Sequence, residues 1–125
     1  MVNPEEFKKR IEVFIAQKYK VEFLGKNFDQ IITLLTELKA EKIYKWIENV
    51  IEKNIQPILV GSKKQYKKWI VSELLTFRYP FSIKNIEYRI LLVKVKNSIY
   101  IEFHFGDHKY YDKVRKELDL KKSSY

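Results

Sequence analysis

Apolar residues recur every three or four positions through the first half of the chain, then every second position toward the end, so helices precede strands. Phe7, Ile11, Phe14 and Ile15 keep helical spacing. Ahead of them Asn3 is suited to cap, Pro4 fits the first helical position, and Glu6 stands where a capping box needs it. A first helix is expected from there to near Lys20, before Gly25. Asn27 with Gln30 marks a second start, and Phe28, Ile31, Ile32, Leu35 and Leu38 form one apolar stripe. Ile43, Trp46, Ile47, Val50 and Ile51 form another, shifted by about one residue. One long helix and two helices with a kink near Ala40 both fit. The aromatic residues of these stripes read as packing.

Ile55 to Val60 is a short apolar run interrupted by Pro57, which suits an edge strand or an extended link. Ser62 with Gln65 is expected to open a further helix carrying Tyr66, Trp69, Ile70 and Leu74, broken at Tyr79-Pro80. The sheet then begins at Phe81 to Ile83. Tyr88 to Val95 is nearly continuous in apolar residues, as in a central strand. Asn97-Ser98 reads as a hairpin turn. The next strand alternates, with Ile99, Ile101, Phe103 and Phe105 on one face and Tyr100, Glu102 and His104 on the other. Gly106 ends it, and Asp107 is a good cap for a short helix in which Tyr110, Val114 and Leu118 face inward. The tail from Lys121 to Tyr125 is expected to be mobile. The pattern describes an α+β fold of one domain. Residues 1–60 act as helical support for a small antiparallel sheet, and residues 61–125 form a basic α+β part that ends in the short helix.

Composition narrows the chemistry. The 125 residues include no cysteine, which leaves no disulfide framework, thiolate metal site or cysteine nucleophile and suits a reducing cytoplasm. No apolar run reaches the roughly 20 residues of a membrane span, and the acidic start Pro4-Glu5-Glu6 is unlike a secretory signal. The net charge of +9 is unevenly spread. Residues 1–60 carry ten basic and nine acidic side chains, whereas residues 61–125 carry fifteen and seven. A concentrated positive field favours a polyanion, most often nucleic acid, although solvated lysines are the plainer explanation of such a bias. Lys63, Lys64, Lys67 and Lys68 fall in the first turns of the helix expected after Ser62, where cations oppose the helix dipole and a phosphate backbone would relieve them.

His108, Asp112 and Arg115 stand at i, i+4 and i+7 on the last helix and share a face, with Tyr111 adjacent. An imidazole, a carboxylate, a phenol and a guanidinium together suit metal-free RNA cleavage. That reaction needs a base for the ribose 2′-hydroxyl, an acid for the leaving 5′-oxygen, and cations for charge building on phosphorus. His108 suits either proton role, Asp112 would orient it, and Arg115, Lys109 or Arg89 would steady the phosphate. The same spacing also fits an exposed ion pair contributing a few tenths of a kcal/mol. A metal site is disfavoured, because His104 and His108, the only histidines, would point apart. Neither Gly-x-Ser-x-Gly nor a phosphate-cradling glycine loop occurs.

The run Phe81-Ser82-Ile83-Lys84, Tyr88-Arg89-Ile90, Tyr100-Ile101-Glu102-Phe103, then Gly106-Asp107-His108 with Tyr111-Asp112-Lys113-Val114, resembles the C-terminal half of HigB-type toxins of the RelE/ParE superfamily. The likeness covers about residues 81–114. It implies helices on an antiparallel sheet and a metal-independent endoribonuclease that cuts mRNA, often on the ribosome, and is neutralised by an antitoxin protein. Arg89, His108, Tyr111, Asp112 and Lys113 become the implied catalytic set, with no cofactor. The chain departs from the family pattern at Asp107, at Glu102, and by an extra residue between Phe103 and Gly106 that suggests a bulge. Two other classes also fit the residues. One is a non-catalytic nucleic-acid-binding protein using Lys63, Lys64, Lys67, Lys68, Lys109 and Arg115. The other is an interaction module whose N-terminal helices make a homodimer or hold a partner.

Overall fold

The computed structural model describes residues 2–15, 20–25, 27–52, 55–61, 65–66, 69–70, 73–95 and 100–122. Helix α1, Pro4–Ile15, starts where its punctuation placed it. Asn3 Oδ1 accepts from the backbone N–H groups of Glu5 and Glu6 at 2.9 and 3.1 Å. The helix is described to Ile15, residues 16–19 lie outside the described residues, and Lys20 is already in a strand. Strand β1, Lys20–Leu24, follows instead, so residues 1–60 are not purely helical support. Gly25 then carries the chain close under the sheet, at φ 144 and with a Cβ position only 2.2 Å from the Phe105 carbonyl oxygen. Only glycine fits that crossing.

Helix α2, Phe28–Thr33, and helix α3, Glu37–Glu52, are separate, and the break falls at Leu34 to Thr36, ahead of Ala40. Asn27 starts α2 through its left-handed backbone rather than through a side-chain cap. Thr36 Oγ1 caps α3 by accepting from Lys39 N at 3.1 Å. The first apolar stripe spans this break, with Phe28, Ile31 and Ile32 on α2, Leu35 in the link and an exposed Leu38 on α3, whereas the second lies wholly on α3. Arg10 of α1 holds Glu41 of α3 with both guanidinium nitrogens, at 2.7 and 3.2 Å, and Lys8 meets Asp29 of α2 at 2.8 Å.

Where the structure describes the region expected to be a helix after Ser62, the residues form strands. Strands β2, Leu59–Gly61, β3, Gln65–Tyr66, and β4, Trp69–Ile70, precede β5, Leu74–Ile83. A run rich in aromatic and branched side chains favours extended backbone, and tertiary pairing decided against the helical spacing. Lys63, Lys64, Lys67 and Lys68, on which the dipole argument rests, lie outside the described residues.

The remaining elements are β6, Ile86–Val95, β7, Tyr100–Asp107, α4, His108–Glu117, and β8, Leu120–Lys122. The main sheet has six strands in the order β1-β7-β6-β5-β2-β8, and β3 pairs with β4 apart from it. The β1 to β7 pairing is parallel, so the sheet is mixed and not antiparallel throughout. Residues expected to be a mobile tail instead pair with β2, although Ser123 to Tyr125 lie outside the described residues, as does the Asn97-Ser98 turn. Strands β6 and β7 match one for one from Tyr88↔Asp107 to Lys94↔Ile101, which leaves no bulge before Gly106.

Pro80 sits within β5 opposite Arg89 and does not end an element. Thr76 turns its carbonyl outward to accept from Ile58 N at 2.8 Å, and Pro80, four residues on, faces the same way. Strand β2 reaches only Leu74 to Thr76, so among the described residues no strand pairs with β5 on the side that the missing N–H of Pro80 faces. Lys84 and Asn85 connect β5 to β6 with φ of 49 and 69, a two-residue turn of mirror-image type.

Helices α1 to α3 cover one face of the sheet and α4 covers the other. Phe7, Phe28, Phe103 and Phe105 interlock in the first layer, with Phe28 and Phe105 rings 5.1 Å apart and Phe7 edge-on to Phe103 at 6.4 Å. Leu91, Val93, Tyr111, Val114 and Leu118 form the smaller second core. No helix among the described residues is long and apolar enough to cross a membrane.

The β5–β6 turn provides a stability test. Asn85→Val forces a β-branched residue into left-handed backbone and should lose about 1–2 kcal/mol in urea unfolding, whereas Asn85→Gly should lose nothing.

Candidate active site

The sheet delivers its last strand directly into α4. Asp107 is extended, and its Oδ1 accepts from Tyr110 N at 2.9 Å, closing the first turn as its position foretold. Tyr110 folds back over Gly106, where an added Cβ would stand 2.7 Å from its ring. A side chain at position 106 would therefore lift α4 off the sheet.

Successive residues on α4 are turned by about 100°, which sorts the candidate residues onto different flanks. On one flank His108 Nδ1 meets Asp112 Oδ2 at 3.1 Å, and Arg115 Nε stands 4.0 Å from the other Asp112 oxygen. These side chains are partly open to solvent, at 53, 40 and 41% exposure. Arg89, from β6, places its guanidinium 5.0 Å above the Tyr111 ring. Tyr111 itself is only 5% exposed and belongs to the core beneath α4. Its ring supports Arg89.

Lys109 and Lys113 stand on the other flank, where a cleft of about 690 Å³ opens between α4 and α2. His108, Tyr111, Asp112 and Arg115 do not line it. The implied set of Arg89, His108, Tyr111, Asp112 and Lys113 thus divides. Two residues form an exposed acid–imidazole pair, two form a cation on a buried ring, and Lys113 faces away into the cleft. Among the described residues no carboxylate pairs with Arg89, Lys109 or Lys113.

Sequence reasoning passed over a second constellation. Glu102 is fully buried on β7, and its Oε1 lies 3.1 Å from Nε2 of His104, itself 7% exposed. The other imidazole nitrogen, Nδ1, is 2.8 Å from the Tyr110 hydroxyl. A buried acid, an imidazole and a phenol therefore run in one line from the sheet to the first turn of α4. Burial pushes the Tyr110 phenol up to about 12, with the negative charges of Glu102 and Glu117 adding to it. The signal for this chain was the alternation of β7, which put Glu102 and His104 on the face away from Phe103 and Phe105. What could not be read was that Tyr110 returns across Gly106 to meet them. Both His104 nitrogens are thereby engaged, and no cluster of three metal-ligating side chains occurs among the described residues.

Comparison of the chain with protein-family models, with curated proteins and with solved structures found no match.

The raised Tyr110 value has a consequence at high pH. Between the ordinary phenol value of 10.0 and about 12 the unfolded chain releases a proton that the folded chain keeps. Stability from this group is complete below pH 10.0 and declines as pH rises toward about 12. Urea unfolding across that window should show the decline, and Tyr110→Phe should flatten it relative to the wild type.

Proposed function

We propose that the protein is a metal-independent endoribonuclease of the toxin type, acting on mRNA through the exposed flank of α4. The observation that carries this reading is the His108–Asp112 pair, 3.1 Å apart and open to solvent, at the strand-to-helix junction. Asp112 fixes His108 through Nδ1 and leaves Nε2 directed outward as the base. It would take the proton of a ribose 2′-hydroxyl. The freed oxygen attacks the adjacent phosphorus, and the bond from phosphorus to the 5′-oxygen breaks, leaving a 2′,3′-cyclic phosphate. The departing 5′-oxygen takes its proton from the imidazolium or from water.

Arg89 and Arg115 supply positive charge beside the pair, and Lys109 and Lys113 extend it around the helix. Tyr111 enters as the ring that holds Arg89. The resemblance of residues 81–114 to HigB-type toxins supports the same reading, together with its further expectations of a cytoplasmic location, a ribosomal setting and an antitoxin partner. A second reading, non-catalytic nucleic-acid binding, is favoured by the unpaired lysines on the cleft side. It gives an affinity that falls steeply with salt and no cleavage.

An RNA cleavage assay in EDTA, with and without ribosomes, separates the two. His108→Ala should slow cleavage by about 10²–10⁴-fold and Asp112→Ala by at least about tenfold. Tyr111→Phe keeps a ring under Arg89 and should stay within about twofold of wild type. Equal rates in wild type, His108→Ala and Asp112→Ala would remove these assignments.

A further inference from the structure

We propose that the cleft between α2 and α4 receives a nucleobase of single-stranded RNA, and that Tyr110 is its fixed wall. The proposal rests on the RNA reading above and adds a base-recognition subsite to it. At about 690 Å³ the cleft is in the size range that accepts a nucleotide. Its walls combine three kinds of group. Tyr88, Tyr110, Ile31 and Leu34 give an aromatic and aliphatic lining for a flat ring. The Gln30 amide donates and accepts, as the edge of a base requires, and Asn27 adds a second amide. Lys109 and Lys113, one turn apart on α4, supply charge at the mouth for the backbone. Asp107 also lines the cleft, but its Oδ1 is occupied by Tyr110 N at 2.9 Å.

The buried network behind the wall is the independent observation. Tyr110 is held from below by His104 at 2.8 Å, and His104 by Glu102 at 3.1 Å. Burying an acid and an imidazole is costly, and an apolar trio would hold α4 to the sheet as well. What the polar chain adds is a single fixed orientation of the Tyr110 ring, as a binding surface needs. Asp107 and Lys109 of the cleft lining flank His108 in sequence, while the His108–Asp112 pair itself stands on the opposite flank of α4. A base held there would leave the strand to pass around α4 to reach that pair.

The test uses 2′-O-methyl RNA pentanucleotides, which lack the reactive hydroxyl proton, so binding is read apart from cleavage. Four homopolymers and an abasic pentamer of equal charge are titrated into the full chain by fluorescence anisotropy. At least one base-bearing oligomer should bind about tenfold more tightly than the abasic one. Gln30→Ala, on an exposed helical position, should cut that advantage by about fivefold while leaving abasic binding unchanged. Equal affinity for abasic and base-bearing oligomers overturns the cleft proposal and leaves the ribonuclease reading standing. No affinity for any oligomer, together with no cleavage, removes the RNA reading itself. If a short polyglutamate peptide binds wild type, loses affinity in Leu34→Ala, and the oligomers show no base dependence, the cleft belongs to a protein segment and the proposal falls.

Discussion

The alternation of β7 is the constraint on which the rest of the molecule depends. Its odd residues, Ile101, Phe103 and Phe105, are fully buried against the three N-terminal helices. Its even residues, Glu102 and His104, are buried on the opposite face and lead to Tyr110 of α4. One strand therefore joins an aromatic layer to a polar one, and a shift of one residue would exchange the two. The strand is fixed on both sides, by β6 in antiparallel register and by β1 in parallel register. Gly25 and Gly106 mark the places where neighbouring chain must pass too near for a side chain.

Much of this was legible where a single local signal decided the outcome. The Asn3 cap, the alternation from Ile101 to Phe105 and the Asp107 cap each concern a few neighbouring residues, and each was read correctly. The C-terminal helix with buried Val114 and Leu118 follows from the same kind of signal. Failures occurred where the partner is far away. Val21 and Phe23 are too short a pattern to announce a strand, and only pairing with Ile101 and Phe103 makes β1 one. Tyr66, Trp69, Ile70 and Leu74 fit helical spacing, but Leu74 is held in β5 by Val95 and Gly61 on either side. Pro80 looked like a terminator because its lack of a donor matters only if that side of the strand is occupied.

The candidate site divides in the same way. The His108–Asp112 pair needs only helical spacing and so was visible in advance. Tyr111 was named for its phenol, and what spacing could not show is that its ring packs in the core beneath Arg89. Glu102 and His104 looked like one polar face of a strand. Their joining to Tyr110 depends on a helix folding back over a glycine, which no periodicity in the sequence expresses. The acidic residue at 102, a departure from the resembled family's pattern, is thus an internal support.

The parallel strand at the sheet's edge has a bearing on how the chain reaches this state. Lys20 meets Tyr100, and the segment between them holds α2, α3 and most of the other strands. During synthesis β1 therefore emerges long before the strand it must lie beside. The aromatic side chains of the early helices have no sheet to rest on until the last third of the chain has left the ribosome. Such long-range closure slows folding, because a large loop must be closed before the contacts that stabilise it form. Helix α4, which carries His108, follows β7 directly, so it can dock only after the sheet beneath it has been made.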